Sequence, residues 1–319
     1  MSLTLASPFL LAPMAGISTA GMRAICLEQG AGCASTGLVD AQGLARRSPG
    51  SLRRAHRGEG QGPQILQLFA PDVDTLVPAL AMADELGFQG VELNLGCPAG
   101  PIVERGCGSA LLGQWQILKP MLSALAGCGM PAGVKCRCGR RTGDRDFVLL
   151  HELAGEAGLD WFSLHPRSLE GAYREAVDWS LVELLPAGGP RLWAGGDLRS
   201  AAEARAALAG QPRLEAVVLG RAAISSPWIF GACLRRPDLD AAARARLLSR
   251  MLRAMACDLD LEEGKRILPG LATLLGIPPM ADIQLRLADR RRMGEWEAIL
   301  RERLDLDALP ALDENPFLR

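Results

Sequence analysis

A cysteine placed directly after a short apolar segment is the residue of this chain best situated for chemistry. Residues 91–94 predict a buried strand. Gly96 and Pro98 end it, because proline has no main-chain N–H and fixes φ. Asn94 and Cys97 therefore lie at the carboxyl end of a strand, where α/β proteins place their catalytic groups. A thiol at such a position can act as a nucleophile or as an acid.

Several other predicted strands also end in polar or turn-forming residues. Three of them end in an amide, a lysine and a histidine, and the last two end in glycine turns. Taken singly, each residue has an ordinary structural explanation, so the prediction of a site depends on the whole set. In chain order the set is Pro13, Met14, Ala15, Gln67, Asn94, Cys97, Lys135, Arg137, His165, Arg167, Gly195, Gly196, Asp197, Gly220 and Arg221.

This set suits a flavin mononucleotide (FMN). Glycine turns after the last two strands expose main-chain N–H groups that can hold a phosphate, and Arg221 adds positive charge there. Gln67 offers an amide to the polar edge of the isoalloxazine ring. Lys135 near the N1–C2 region would stabilise the negative charge of reduced flavin. His165 can bond either the ring edge or the phosphate end.

The elements that carry these residues alternate between strand and helix up to about residue 235. Helices are predicted between most strands, for example over Asp72–Leu86, Arg145–Ala157 and Ser200–Ala209, the last with Ser200 as N-cap. Eight such units predict a (β/α)8 TIM barrel, and the absence of a GxGxxG turn argues against a doubly wound open sheet. The predicted strands are Phe9–Ala12, Gly32–Ser35, Gln64–Phe69, Val91–Asn94, Ala132–Lys135, Trp161–His165, Arg191–Ala194 and Ala216–Leu219.

The pattern changes after Pro237. Apolar residues three and four apart predict helices over Asp240–Ala256, Pro279–Leu287 and Gly294–Leu304. We therefore expect a catalytic barrel domain over residues 1–238 and a small all-helical domain over residues 239–319.

Composition limits the classes of function. The chain has 319 residues, is 49% hydrophobic and has a net charge of −1, so it can bury a large core and is not polybasic as a whole. Three arginine clusters are either solvated surface or local phosphate contacts. The clusters are Arg46, Arg47, Arg53, Arg54 and Arg57; Arg140, Arg141 and Arg145; and Arg290, Arg291 and Arg292.

The cysteines indicate a reducing compartment. Nine of them are spread without regular spacing, and the chain shows no signal peptide and no membrane-spanning run, which favours a cytoplasmic protein. The Cys136–Cys138 pair has no second pair at zinc-ligand spacing and only three histidines are present, so we expect no structural metal.

Several motifs together resemble those of the tRNA-dihydrouridine synthases. They follow that family's order and spacing over roughly residues 8–235, and the combination is specific although each motif alone is not. The motifs are Leu11–Gly16, Glu92–Pro98, Gly106–Leu112, Val134–Arg137, His165–Ser168 and Leu219–Ala223, with Pro227–Phe230 continuing the match. The resemblance implies an FMN-containing barrel followed by a helical domain that helps to seat tRNA.

The resemblance also implies a mechanism. NADPH reduces FMN, flavin N5 passes hydride to C6 of a target uridine, and a cysteine acid protonates C5. Cys97 matches that cysteine, and Asn94 matches an asparagine beside the base, with Arg137 and Arg167 as further expected substrate contacts. A thiol suits the step because an ordinary thiol, with a pKa of about 8.5, is neutral at pH 7. The matching FMN positions are Pro13, Met14, Ala15, Gln67, Lys135, His165, Gly195, Gly196, Asp197, Gly220 and Arg221.

The chain departs from the family pattern at several positions. Gly195 stands where the family usually has asparagine, and Gly37 where many members carry glutamate. Met22 replaces a common aromatic residue, and residues 99–101 replace basic ones. The alternatives that remain are an FMN barrel reductase acting on a small molecule, such as a pyrimidine or an enone, and a non-catalytic RNA-binding descendant of the fold. The presence of Cys97 argues against the second alternative.

Overall fold

The computed structural model describes residues 2–58, 62–171 and 175–259, and these form a closed parallel barrel surrounded by helices. Eight strands form the ring, which closes because β2 pairs with both β1 and β4; β3 is a two-residue strand added beside β4. The strands are β1 (Phe9–Leu11), β2 (Ala34–Ser35), β3 (Val39–Asp40), β4 (Gln64–Phe69), β5 (Gly90–Leu95), β6 (Ala132–Arg137), β7 (Trp161–His165), β8 (Arg191–Ala194) and β9 (Leu214–Leu219).

Helices cover the outside of the barrel. They are α1 (Ala20–Glu28), α2 (Ala41–Ala45), α3 (Pro49–Arg54), α4 (Val73–Glu85), α5 (Gly100–Val103), α6 (Trp115–Ala126), α7 (Asp146–Ala157), α8 (Ala201–Gly210), α9 (Arg221–Ser225), α10 (Ile229–Cys233) and α11 (Ala241–Asp258), with 3-10 turns at Gly108–Leu111 and Trp179–Leu184. The apolar residues of the strands that face outward pack against these helices in one large core.

Two stacked tryptophans fill the barrel interior. The rings of Trp161 and Trp193 lie 4.9 Å apart and nearly parallel. Gly133 makes room for them, since a Cβ there would lie 2.4 Å from Trp161. The two rings fill part of the barrel interior, and in parallel barrels of this kind the site lies at the carboxyl ends of the strands.

The structure confirms the predicted strands to within two residues at each end, and it adds β3. It confirms the three helices expected within the barrel, and the Ser200 hydroxyl accepts a hydrogen bond from the Glu203 N–H as an N-cap. No helix in the described ranges is long and apolar enough to cross a membrane.

Helix α11 is the part of the expected tail that the structure describes, and it packs on α1. The absence of a side chain at Gly21 permits this contact, because a Cβ there would lie 2.2 Å from the Ala254 Cβ. The Asp258 carboxylate accepts a hydrogen bond of 2.7 Å from the Gly21 N–H. The helices predicted over Pro279–Leu287 and Gly294–Leu304 lie outside the described residues, so the 239–319 domain stays a prediction beyond α11.

Candidate active site

Two adjoining cavities open at the carboxyl ends of the strands, with volumes of about 430 Å³ and 310 Å³. The segment after β1 borders both, since Met14 lines the larger cavity and Ala15 the smaller. The Ser18 hydroxyl holds this segment in place. It donates to the Ala12 carbonyl (2.8 Å) and accepts from the Met14 N–H (3.0 Å).

The larger cavity, called the turn cavity below, collects most of the residues predicted to bind the cofactor. The predicted residues that line it are Pro13, Met14, Lys135, His165, Gly195, Gly196, Asp197, Gly220 and Arg221. Ser163, Arg199 and Ser225 also line it and were not predicted. Arg199 follows Asp197 in the same turn. The predicted glycine turn at residues 195–197 was therefore the sequence signal that could have identified Arg199.

An aspartate between two arginines organises the rim of the turn cavity. Arg167 donates to both carboxylate oxygens of Asp197, and Arg221 Nη2 donates to Oδ1 at 2.5 Å. The Arg167 side chain is 2% exposed, whereas that of Arg221 is 55% exposed. Asp197 therefore neutralises a buried cation and orients an accessible one.

The site carries positive charge around a neutral histidine. Burial lowers the pKa of His165 well below its ordinary value, and nearby Lys135 and Arg137 lower it further. Burial also lowers the pKa of Lys135, while Glu92 opposes that effect. At neutral pH His165 can therefore serve as a neutral hydrogen-bonding group among the basic side chains of the cavity.

The smaller cavity, called the thiol cavity below, contains Cys97, which is half-buried. Arg53, Arg54 and Phe69 line it, as do Asp258 and Leu259 at the end of α11. Two members of the arginine cluster that follows the second predicted strand therefore line the same cavity as the thiol. The expected helical tail reaches the same cavity through its first helix.

A chain of hydrogen bonds runs from the barrel floor to the main chain of Cys97. Trp161 Nε1–H donates to Glu92 Oε2 (3.0 Å), and Gln67 Nε2–H donates to Glu92 Oε1 (2.6 Å). Asn94 Nδ2–H donates to Gln67 Oε1 at 3.0 Å. Asn94 Oδ1 then accepts from the N–H of Cys97 (3.0 Å), and also from that of its neighbour at position 96 (3.2 Å).

Glu92 was not predicted as a site residue, although it is 1% exposed in the interior of the barrel. Burial raises its pKa, while hydrogen bonds from Trp161 and Gln67 and the charge of Lys135 act in the opposite direction. It is the one charged residue of β5, and a charge in a buried strand was the sequence signal that could have identified it.

Some predicted residues lie beside the cavities rather than in their walls. Gln67 and Asn94 are buried in the hydrogen-bond chain. Arg137 Nη1 donates to the Ser168 carbonyl (3.0 Å), and Arg167 is buried against Asp197. The roles of Arg137 and Arg167 as substrate contacts therefore stay predictions.

The other cysteines near the site are buried. Burial raises the pKa of Cys107 to about 11, and it raises that of Cys136 well above the ordinary value. Both thiols are therefore protonated and shielded at neutral pH, as is typical of structural cysteines.

The main chain passes close to its neighbours at two positions where the chain departs from the family pattern. A Cβ at Gly195 would lie 2.2 Å from the Val218 carbonyl oxygen, and one at Gly37 would lie 3.0 Å from that of Met14. A side chain at Gly195 therefore requires the backbone between β8 and β9 to move apart.

The turn cavity fits an anionic cofactor. Its volume lies within the range of roughly 300–1,000 Å³ typical of cofactor sites. Lys135, Arg199 and Arg221 supply positive charge, and the charge of Asp197 is already balanced by its arginines. No cluster of three or more metal-ligating side chains occurs in the part of the chain that the structure describes.

Comparison with known proteins identifies the family. A dihydrouridine synthase family model matches residues 10–275. The tRNA-dihydrouridine synthase B of Pseudomonas putida is 29% identical over 256 residues, which cover 76% of this chain and 75% of that protein. The enzyme of the same name from Pseudomonas aeruginosa is 31% identical over 230 residues, covering 71% of this chain and 69% of that one.

Solved structures support the fold. Morphinone reductase superposes with a TM-score of 0.51 at 15% identity, covering 75% of this chain and 89% of that one. A 2-naphthoyl-CoA reductase superposes with a TM-score of 0.56 at 13% identity, covering 75% and 51%. These structural similarities show the barrel fold and nothing further about this chain. Because the family model spans most of the chain and the relatives match it over more than two thirds of their length, the chain belongs to the dihydrouridine synthase family of oxidoreductases.

Proposed function

We propose that this protein is an FMN-dependent, NADPH-linked tRNA-dihydrouridine synthase that reduces the C5–C6 double bond of a uridine in tRNA. The observation that carries the proposal is the position of Cys97, half-buried in a cavity that adjoins a cationic cavity built from the two late glycine turns. This arrangement provides one compartment for a flavin and another for a base, with an acid beside the base.

FMN suits the turn cavity, and when bound it would supply the hydride for uridine C6 using electrons from NADPH. The turns at Gly195–Gly196 and Gly220 would hold its phosphate together with Arg221, which Asp197 orients. Lys135 would stabilise negative charge on the ring. The charge of Glu92 raises the pKa of this lysine and so favours its protonated form.

Cys97 would donate the proton to uridine C5. Its main chain is fixed on both sides, since Asn94 Oδ1 accepts from its N–H and its carbonyl accepts from the Ser109 N–H (3.2 Å). Restricting the thiol in this way supports a general acid, because proton transfer requires a short and well-oriented approach to the reacting carbon.

A tRNA substrate agrees with the charges around the thiol cavity. Arg53 and Arg54 line it, and Arg140 and Arg141 are exposed in the loop after β6, at the same end of the barrel. Phosphate contacts of this kind supply most of the sequence-independent affinity for nucleic acid. The names of the curated relatives include tRNA, which also supports this substrate. A protein that modifies tRNA would act in the cytoplasm.

The test separates the two half-reactions. Cys97→Ala should retain flavin and still accept electrons from NADPH, whereas dihydrouridine formation should fall by roughly 10²–10⁴, the usual effect of a positioned acid. Cys107→Ser is the matched control, because that thiol is buried and should not be needed. Wild-type turnover by Cys97→Ala would contradict the assignment of the acid.

Dihydrouridine in the tRNA of a deletion strain decides between substrates. We expect one position to lose the modification when the gene is deleted and to regain it when the wild-type gene is restored. Unchanged tRNA, together with a flavin that NADPH reduces normally, would instead favour a reductase of small molecules such as pyrimidines or enones.

A further inference from the structure

We propose that Glu92 is a positioning residue that sets the orientation of the Asn94 carboxamide and thereby holds the main chain of Cys97. The inference depends on the proposed function for its consequence in catalysis, but its structural part can be tested separately. Glu92 acts through Gln67 and lies deeper in the barrel than the thiol cavity.

The direction of each hydrogen bond in the chain is set from its deep end. Trp161 Nε1–H can only donate, so one oxygen of Glu92 must accept it. Hydrogen bonds from Trp161 and Gln67 and the charge of Lys135 favour the ionised carboxylate of Glu92. The second oxygen of that carboxylate can also only accept, so Gln67 presents its NH₂ group to Glu92. The carbonyl oxygen of Gln67 is thereby left facing Asn94.

The orientation of Asn94 follows in the same way. Because Gln67 presents an oxygen, Asn94 must present its NH₂ group to it, and its own oxygen then faces the main chain. The N–H of Cys97 can only donate, and it finds that oxygen at 3.0 Å. Every donor meets an acceptor only because Glu92 offers two acceptor atoms.

Replacing one carboxylate oxygen of Glu92 with NH₂ would reverse the direction of the hydrogen bonds that follow it in the chain. In Glu92→Gln the oxygen is retained for Trp161, so the new NH₂ group faces Gln67. Gln67 must turn over to accept from it, and Asn94 must turn over in response. Two N–H donors then meet at Cys97, and the hydrogen bond to its main chain is lost.

A second substitution restores the pattern. In Glu92→Gln combined with Asn94→Asp, both oxygens at position 94 accept, one from the reversed Gln67 and one from the Cys97 N–H. The negative charge is kept close to Lys135, which pairs in register with position 94. Asn94→Asp alone would instead place an oxygen against the oxygen of Gln67.

The first experiment measures how fast iodoacetamide alkylates Cys97, read by mass spectrometry of its peptide. The whole protein is used and no tRNA is added, so the result does not depend on turnover. We expect Glu92→Gln to raise the rate about threefold to tenfold, the factor that one hydrogen bond contributes. The double variant Glu92→Gln, Asn94→Asp should return to the wild-type rate.

Glu215→Gln is the matched control. Glu215 also accepts a hydrogen bond from a tryptophan of the stacked pair, at 2.9 Å from Trp193 Nε1, but it lies outside the chain that leads to Cys97. In this control, iodoacetamide should alkylate Cys97 at the wild-type rate. A Glu92→Gln rate equal to that of the control would overturn the proposal, as would a double variant that labels as fast as Glu92→Gln.

The second experiment measures the two half-reactions of Glu92→Gln. Dihydrouridine formation should fall roughly 10²-fold, as expected when a reacting group is misplaced by about 1 Å. Reduction of the flavin by NADPH should change less, because Glu92 affects it only through the pKa of Lys135. If the wild type forms no dihydrouridine, the proposed function fails and the labelling rates still decide the role of Glu92. If Glu92→Gln and the double variant both fail to fold, the proposal is overturned, because the second variant keeps every hydrogen bond satisfied.

Discussion

Asp197→Asn tests whether the carboxylate between Arg167 and Arg221 holds the rim of the turn cavity. Removing one partner of a buried ion pair costs about 3–5 kcal/mol, because it leaves a charge uncompensated. The Arg167 side chain is 2% exposed and that of Asp197 is 25% exposed. Since Asp197 is partly solvated and asparagine keeps one acceptor oxygen, we expect the low end of that range, about 3 kcal/mol. At roughly 2 °C per kcal/mol for a large domain, the melting temperature should fall by about 6 °C.

The assay is thermal unfolding of the flavin-free protein, compared with Glu85→Gln as a control. Glu85 pairs with Arg47 at 2.6 Å, but both side chains are more than half exposed, so breaking that pair should cost less than about 1 kcal/mol. Asp197→Asn should also weaken flavin retention about threefold to tenfold, because Arg221 loses the partner that orders it. Equal melting temperatures for the two variants would refute the argument that burial makes the Asp197 pair important.

Three further predictions follow from the same geometry. Lys135→Ala should lower the amount of flavin retained after gel filtration, or slow its reduction by NADPH; full retention with normal reduction would remove the lysine from the cofactor site. Arg140→Glu combined with Arg141→Glu should weaken tRNA binding and reduce its salt slope by about one unit for each lost phosphate contact, with NADPH oxidation unchanged; an unaltered slope would mean that these arginines only solvate a loop. Burial and Arg213 lower the pKa of buried His151, so its contribution to stability is present above the ordinary histidine pKa of about 6.5 and is lost as the pH falls below it. The urea midpoint should therefore drop more between pH 7.5 and 5.5 in the wild type than in His151→Asn, and equal drops would contradict this assignment.

The order of strands and the residues at their ends followed from sequence alone. Apolar runs that end at glycine or proline are local signals, so β4, β7 and β8 were predicted with their observed bounds. In a parallel barrel all strand ends of one kind meet at one face. The prediction of strand ends therefore also brought together the glycine turns, Lys135 and His165 in one cavity.

Only the tertiary structure determined how the polar groups pair inside that face. Trp161, Glu92, Gln67 and Asn94 come from three different strands, and their hydrogen bonds depend on which side chains point into the barrel and on the room left by Gly133. No local pattern encodes such contacts, because they join residues as far as 69 positions apart.

The division of the site into two cavities also depended on the fold. The segment after β1 borders both the compartment built from the late glycine turns and the one that contains Cys97. The end of α11 lines the second compartment and is held against α1 by Asp258. The sequence identified the thiol and the turns individually. Their relative positions are set by packing between elements distant in the chain, and the hydrophobic and hydrogen-bonding energies that fix such packing depend on three-dimensional proximity rather than on sequence spacing.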